Sequence, residues 1–338
     1  MISFWICLSI MLSFLITYIS TKKLIPYLHK IKFGQTILEI GPSWHKKKQG
    51  TPTMGGIGFI VGILVASFVS LFFYYFIFNV VPLIILKILA GLLMALLCGA
   101  VGFLDDYLKI FKKQNLGLTA IQKLIFQFLI AYSFLFILYF SNLIYGNSSG
   151  TSTIIPFFGK VDLGILYWTF LPVFIVGMVN AVNLTDGIDG LCTSVTFFSG
   201  LSFMIIAGIL NMFGVSIVTG ALLGACLAFL IFNLYPAKIF MGDTGSLFFG
   251  GLLCAIAFSL DMPIILIFIG AVYILEMFSA MIQVVYFKIT HGKRLFKMTP
   301  IHHHFEMSGF SEMKICFLFS LVTLFLGLFT FFVVALGV

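Results

Sequence analysis

From Gln49 to Leu86 the chain carries no charged side chain, and within that stretch FIVGILVASFVSLFFYYFIF is long enough to cross a bilayer by itself. Spanning about 30 Å of hydrocarbon takes about 20 apolar residues in a helix, which satisfies its own backbone hydrogen bonds where no water can. Ten such stretches occur, at about 2–20, 54–78, 83–104, 122–143, 163–184, 191–210, 214–232, 246–260, 263–287 and 315–337, with ends that sequence locates only to within a few residues. The strands of a transmembrane barrel would alternate polar and apolar residues, and these runs do not. A composition 61% hydrophobic and 9% charged also leaves too little polar surface to cover a water-soluble globule. The expected fold is an all-α polytopic membrane protein, with residues 1–338 forming a single integral membrane domain. The first span has no basic residue ahead of it and is followed by Lys22 and Lys23 with no small-residue cleavage pattern, so it reads as an uncleaved anchor.

Orientation follows from the basic residues. The loops after odd-numbered spans hold Lys22, Lys23, Lys30, Lys32, Lys46, Lys47 and Lys48, then Lys109, Lys112 and Lys113, then Lys238, then Lys288, Lys293, Arg294 and Lys297. Lys123 and Lys314 lie at helix edges on the same side, which leaves only Lys87 and Lys160 of the 19 basic residues for the other face. The positive-inside rule then places both termini outside and the basic loops in the cytoplasm. Topology signals and attraction to anionic headgroups account for the net charge of +8. A nucleic-acid partner is not expected, because no soluble basic module with readout residues is present. The six cysteines are scattered through apolar spans with no paired spacing, and read as small core residues.

Carboxylates are scarce, and their placement is uneven. Asp105, Asp106, Asp186, Asp189, Asp243, Glu39, Glu306 and Glu312 fall on the cytoplasmic side, Asp162 and Asp261 outside, and Glu276 inside the ninth span. Five of them come from three short helix-edge segments, which points to one shared site. In GFLDDYLK, neighbours about 100° apart on a helix cannot both face one ion, so Asp105 and Asp106 are expected to differ in role, with a hydrated helix end as the plainer alternative. In NAVNLTDGIDG, Asn180, Asn183, Asp186 and Asp189 recur every third residue beside Gly187 and Gly190, which permit a turn that gathers them. Such a cluster suits a sugar or a base edge, and Asx capping accounts for one or two of its members. In FNLYPAKIFMGDTGS, the glycine-flanked Asp243 suits a hard cation such as Mg²⁺, which takes one or two carboxylates plus phosphate oxygens. Thr244 or Ser246 could cap the eighth span, and Phe240 reads either as an interfacial aromatic or as a base-stacking one.

Two further segments are polar. The consecutive histidines of KMTPIHHHFEMSGF diverge too much to chelate one metal, although one or two could meet phosphate or base, and zinc lacks a further ligand nearby. The segment HKKKQGTPTMGG offers lysine, threonine and glycine backbone for an anion, yet lacks the spacing of a P-loop.

In order along the chain, GTPTMGG, FLDDYLK, NAVNLTDGIDGL, FNLYPAKIFMGDTGS and TPIHHHFE closely resemble the motifs of the phospho-N-acetylmuramoyl-pentapeptide transferases, within the polyprenyl-phosphate sugar-1-phosphate transferase superfamily. The resemblance runs the full length. It implies transfer of phospho-N-acetylmuramoyl-pentapeptide from UDP-MurNAc-pentapeptide to undecaprenyl phosphate, giving lipid I and UMP with Mg²⁺, by a homodimer at the cytoplasmic face of the bacterial plasma membrane. Carried onto matching positions, it makes Asp243 a Mg²⁺ ligand and Asp105 and Asp106 catalytic. Lys48, Thr53, Lys123, Asn180, Asn183, Asp186, Asp189, Asn233, Phe240, Gln283, His302 and His303 would line the nucleotide and phosphate pocket, with Lys48 on the most variable ground.

Two other readings compete. The sister branch would transfer GlcNAc-1-phosphate from UDP-GlcNAc, against which TPIHHHFE and GTPTMGG weigh. An ion-coupled transporter would also carry intramembrane acids and glycine-rich breaks, but should place its polar residues near the bilayer midplane, where only Glu276 qualifies.

Overall fold

A computed structural model describes residues 2–30, 48–111, 117–144 and 149–338. Its helices are α1 (Ile2–Lys30), α2 (Gly56–Phe78), α3 (Pro82–Phe111), α4 (Ala120–Ile144), α5 (Ile165–Thr185), α6 (Leu191–Ile209), α7 (Phe213–Asn233), α8 (Gly242–Ser259), α9 (Leu266–Ile269), α10 (Ala271–Ile289), α11 (Ile301–Glu306) and α12 (Glu312–Gly337). Among the described residues, ten of these are long and apolar enough to cross a membrane. The protein is an all-α polytopic membrane protein, as its apolar runs require.

Helices in hydrocarbon gain nothing by hiding apolar surface from lipid, so they associate where small residues let backbones approach. This decides which helices are central. α8, GDTGSLFFGGLLCAIAFS, is buried along nearly its whole length, and α7 is almost as enclosed. α3 lies along α8, α5 covers another side of it, and α6 stands between α7 and α12. α1 packs on α2 and α7 through a stripe of Ser9, Ser13, Thr17 and Thr21, one turn apart and all buried. Gly58 and Gly62 of α2 lie directly against Thr21 and Thr17. Apolar side chains on the outer helices are left facing the lipid.

Several sequence boundaries shift: α1 runs on to Lys30 and α3 to Phe111, past the expected ends at 20 and 104. The ninth span does not run unbroken from 263 to 287: a 3-10 turn at Pro263–Ile265 and the short α9 precede Gly270, and α10 starts only at Ala271. Proline lacks the N–H a continuing helix needs and favours a first-turn position, so the chain restarts there. The eighth span begins earlier than 246, at Gly242, which puts Asp243 inside the first turn of α8.

The two ends of the bundle carry different polar groups. At one end a hairpin, β1 (Ser152–Ile155) with β2 (Gly159–Asp162), pairs antiparallel with Ile155 opposite Gly159. Ile154 N–H donates to the Asp261 carbonyl, Phe157 N–H to that of Gly337, and Lys87 pairs with the Asp261 carboxylate at 3.0 Å. The motif residues gather at the other end.

Candidate active site

α3 and α8 bring the paired aspartates to Asp243. Gly102 is what allows it: a Cβ there would fall 2.1 Å from the Asp243 carbonyl oxygen. Gly242 turns the chain into α8 at φ +71°, a conformation that side chains other than glycine's disfavour.

Asp105 and Asp106 then part company, as expected of adjacent helical residues. Asp106 faces the start of α8, where its carboxylate accepts from Asp243 N–H at 3.2 Å, Thr244 N–H at 2.9 Å and the Thr244 hydroxyl at 2.7 Å. It caps a helix from outside that helix, satisfying amides that have no intrahelical partner. Neither Thr244 nor Ser246 serves as the cap; Ser246 instead donates to the Gly242 carbonyl. Asp105 Oδ1 accepts from Leu118 N–H at 2.8 Å, and its Oδ2 meets Lys109 at 2.6 Å and Lys123 at 2.9 Å.

Those two lysines also reach Asp243 Oδ2, at 3.0 and 2.8 Å, so a pair of carboxylates and a pair of ammoniums form one closed square. Asn183 completes the set by donating to Asp243 Oδ1 at 2.9 Å and to Ser246 Oγ at 2.8 Å. One oxygen each of Asp105, Asp106 and Asp243 lies within 4.8 Å of the others, a hard-oxygen donor set that fits a divalent cation such as Mg²⁺.

Asp186 ends α5 beside this group. Burial, followed by the negative charges of Asp243, Asp106 and Asp189, pushes its carboxyl up to about 8. Thr53 approaches from the segment ahead of α2: a Cβ on Gly242 would meet both Thr53 Oγ1 and Asp106 Oδ2. Phe240, half-buried, holds that segment by backbone pairing, donating to the Pro52 carbonyl and accepting from Gly55 N–H, both at 2.8 Å.

The remaining motif residues form satellite clasps. Lys48 lies between Asp189 Oδ1 at 2.6 Å and Glu312 Oε2 at 2.7 Å, while Glu312 also accepts from Asp189 N–H and Asp189 Oδ2 from Ala237 N–H. Burial opposes the Lys48 charge, but hydrogen bonds to Asp189 and Glu312 outweigh it and hold its pKa above the usual lysine range. Asn180 is paired with the buried Gln127 and donates to it at 2.7 Å. Asn233, also buried, accepts from Thr193 and donates to the Ile239 carbonyl.

Gln283 holds a loop: its Oε1 accepts from Leu295 and Phe296 N–H, and its Nε2 donates to the Phe296 carbonyl. The histidines diverge as expected. His302 Nδ1 lies 3.0 Å from Glu276 Oε2 with both residues buried, and its other edge abuts Gly187, while His303 pairs with Glu306 at 2.6 Å.

Sequence reasoning put Lys109 and Glu312 on this side of the membrane but did not name them, or Gln127, as residues of the site. Lys109 was legible, being one helical turn beyond Asp105. Gln127 and Glu312 sit on helices whose apposition no local pattern announces.

The sequence model of glycosyl transferase family 4 matches residues 88–261. A phospho-N-acetylmuramoyl-pentapeptide-transferase of Halalkalibacterium halodurans is 46% identical over 318 residues, covering 94% of each chain. Proteins of that name from Clostridium perfringens and Clostridium kluyveri are each 44% identical, over 94% and 95% of this chain and 95% and 96% of their own. With the matched region spanning α3 to α8, the very helices that carry the carboxylate and lysine square, the chain belongs to glycosyl transferase family 4 and, within it, to the phospho-N-acetylmuramoyl-pentapeptide-transferases.

Proposed function

We propose that this protein transfers phospho-N-acetylmuramoyl-pentapeptide from UDP-MurNAc-pentapeptide to undecaprenyl phosphate, giving lipid I and UMP, at the cytoplasmic face of the bacterial inner membrane. The observation that carries the chemistry is the Asp105–Lys109–Lys123–Asp243 square at the end of the bundle. Transfer between two anions needs neutralised charge and alignment more than covalent help. Lys109 and Lys123 supply positive charge where the pyrophosphate must lie, and Asn183 fixes the Asp243 carboxylate for its task.

Asp243, flanked by Asp105, would hold Mg²⁺, which when bound neutralises phosphate oxygens. Asp106 positions that site by capping α8. Asp186, Asn180 and Thr53 line the approach of the nucleotide, and His302 and His303 border it from α11. Gln283, Lys48, Asp189 and Asn233 shape the walls through the bonds they already make.

The reaction is read as one displacement. An oxygen of the lipid phosphate forms a bond to the phosphorus that carries the sugar, and the bond from that phosphorus to the UMP oxygen breaks. Phosphate's second pKa of about 6 leaves most of the acceptor without its last proton near neutrality, and Asp105 takes that proton when it is present. Attack by an aspartate would instead create a high-energy acyl phosphate.

The test uses purified protein with radiolabelled nucleotide. With undecaprenyl phosphate present, label should enter a lipid-extractable product while UMP is released; without it, no stoichiometric burst of UMP should appear. A phospho-sugar adduct trapped on Asp105 or Asp106 would require two steps. Efficient transfer from UDP-GlcNAc would move the protein to the sister activity, and no UMP under any condition would revive the transporter reading. Cross-linking in membranes decides whether it acts as a homodimer.

A further inference from the structure

We propose that the hairpin linking α10 to α11, residues 287–297, is a preformed docking surface for the headgroups of anionic phospholipids in the leaflet on the active-site side.

Its cations differ from those of the active site. Lys48, Lys109 and Lys123 each meet a carboxylate. Lys288, Lys293 and Arg294 are exposed and meet none among the described residues, and from Met277 to Phe305 the sequence contains no acidic residue that could reach them locally. Three unneutralised cations within seven residues make a site for an anion, not a structural ion pair.

Apolar side chains accompany them. Ile289, the last residue of α10, is 71% exposed and Leu295 49%, one on each side of the turn, with Phe287 exposed just before them. A basic fringe interleaved with exposed aliphatic groups is the pattern of a segment lying in the headgroup region, with charges toward phosphate and hydrocarbon toward the acyl chains. A soluble anion would be met by the charges but would leave the aliphatic groups facing water.

The surface is also built in advance. His291 and Gly292 adopt φ +50° and +111°, which turns the chain sharply, and Gly292 N–H donates back to the Phe287 carbonyl. Gln283 then clamps the segment after the turn with three hydrogen bonds to Leu295 and Phe296. Little ordering remains to be done on binding, so the interaction energy is not spent on fixing the loop. Position agrees: α10 ends at Ile289 and α12 begins at Glu312, so the hairpin lies at a membrane edge between two spans.

The experiment measures lipid selectivity at the hairpin in nanodiscs of phosphatidylcholine with brominated phosphatidylglycerol or brominated phosphatidylcholine. The full-length protein carries Leu295→Trp, or Ile289→Trp as a second reporter, and the signal of its three native tryptophans is subtracted. Quenching should show a preference for phosphatidylglycerol of at least about fivefold. That preference should fall to unity in Lys288→Gln/Lys293→Gln/Arg294→Gln and survive in Lys22→Gln/Lys23→Gln, which removes charge from α1 instead. Equal quenching by both lipids at both reporters overturns the proposal, as does equal loss in the α1 variant, which would make the effect one of overall field. A preference abolished by millimolar inorganic pyrophosphate would assign the cations to a soluble anion and overturn it too.

Discussion

Asp105 and Asp106 adjoin in the chain, yet one sits in an ion-pair square and the other closes the open end of α8. Asp243 stands between them, since its backbone is held by Asp106 and its carboxylate by Lys109, Lys123 and Asn183. Asp243→Asn keeps the size of the side chain and removes the charge, which a hard cation demands. The folded protein should persist while Mg²⁺-dependent turnover falls at least about 100-fold, and near-normal turnover with unchanged Mg²⁺ dependence would refute a metal at this residue. Asp186 gives a pH signature. Its carboxyl is pushed up to about 8 in the folded protein, whereas the unfolded chain loses that proton near 3.9. Between those values the folded state binds more protons, so this group's contribution is fully present below about pH 4 and is lost as pH rises toward 8. Asp186→Asn removes the penalty, so its melting temperature in detergent should gain on the parent's from pH 5 to pH 8 and level off above. A constant difference across that range would contradict the assignment.

At the level of elements, the site is a consequence of how closely α3 meets α8. Gly102 contributes no side chain, and the Asp243 carbonyl fills the space a methyl group would need. Gly102→Ala must therefore push the first turn of α8 away from Asp105 and Asp106, with a packing cost of about 1–3 kcal/mol. Thermal unfolding should register that loss and activity should fall further than stability alone explains, because the square opens. Gly177→Ala in α5 is the control, since a Cβ there meets nothing within 4 Å. If both variants behave alike, the close approach has no bearing on the site.

For the whole molecule, the division of polar groups between its two ends should match the two faces of the membrane. The β hairpin, Lys87 and Asp261 share one end, and the carboxylate and lysine square the other. Positive-inside reasoning places the square in the cytoplasm. In a background without the native cysteines, Phe158→Cys at the exposed hairpin tip should react with a membrane-impermeant reagent in intact cells, and Lys293→Cys should not. Labelling at Lys293 with protection at Phe158 would reverse the orientation.

Ten apolar runs in hydrocarbon have almost no choice but to be helices, because backbone groups must bond within their own segment. Local chemistry likewise marked the carboxylates Asp105, Asp106, Asp186, Asp189 and Asp243 as candidates for one site, since charge in so apolar a chain is costly unless used. The tertiary structure alone decided their division of labour. That Asp106 caps α8, that Lys109 and Lys123 share two carboxylates, and that Glu312 closes on Lys48 from more than 200 residues away all depend on which helices touch. Helix contacts in a bilayer are set by the fit of small residues across two surfaces, and no single segment contains both sides of that fit.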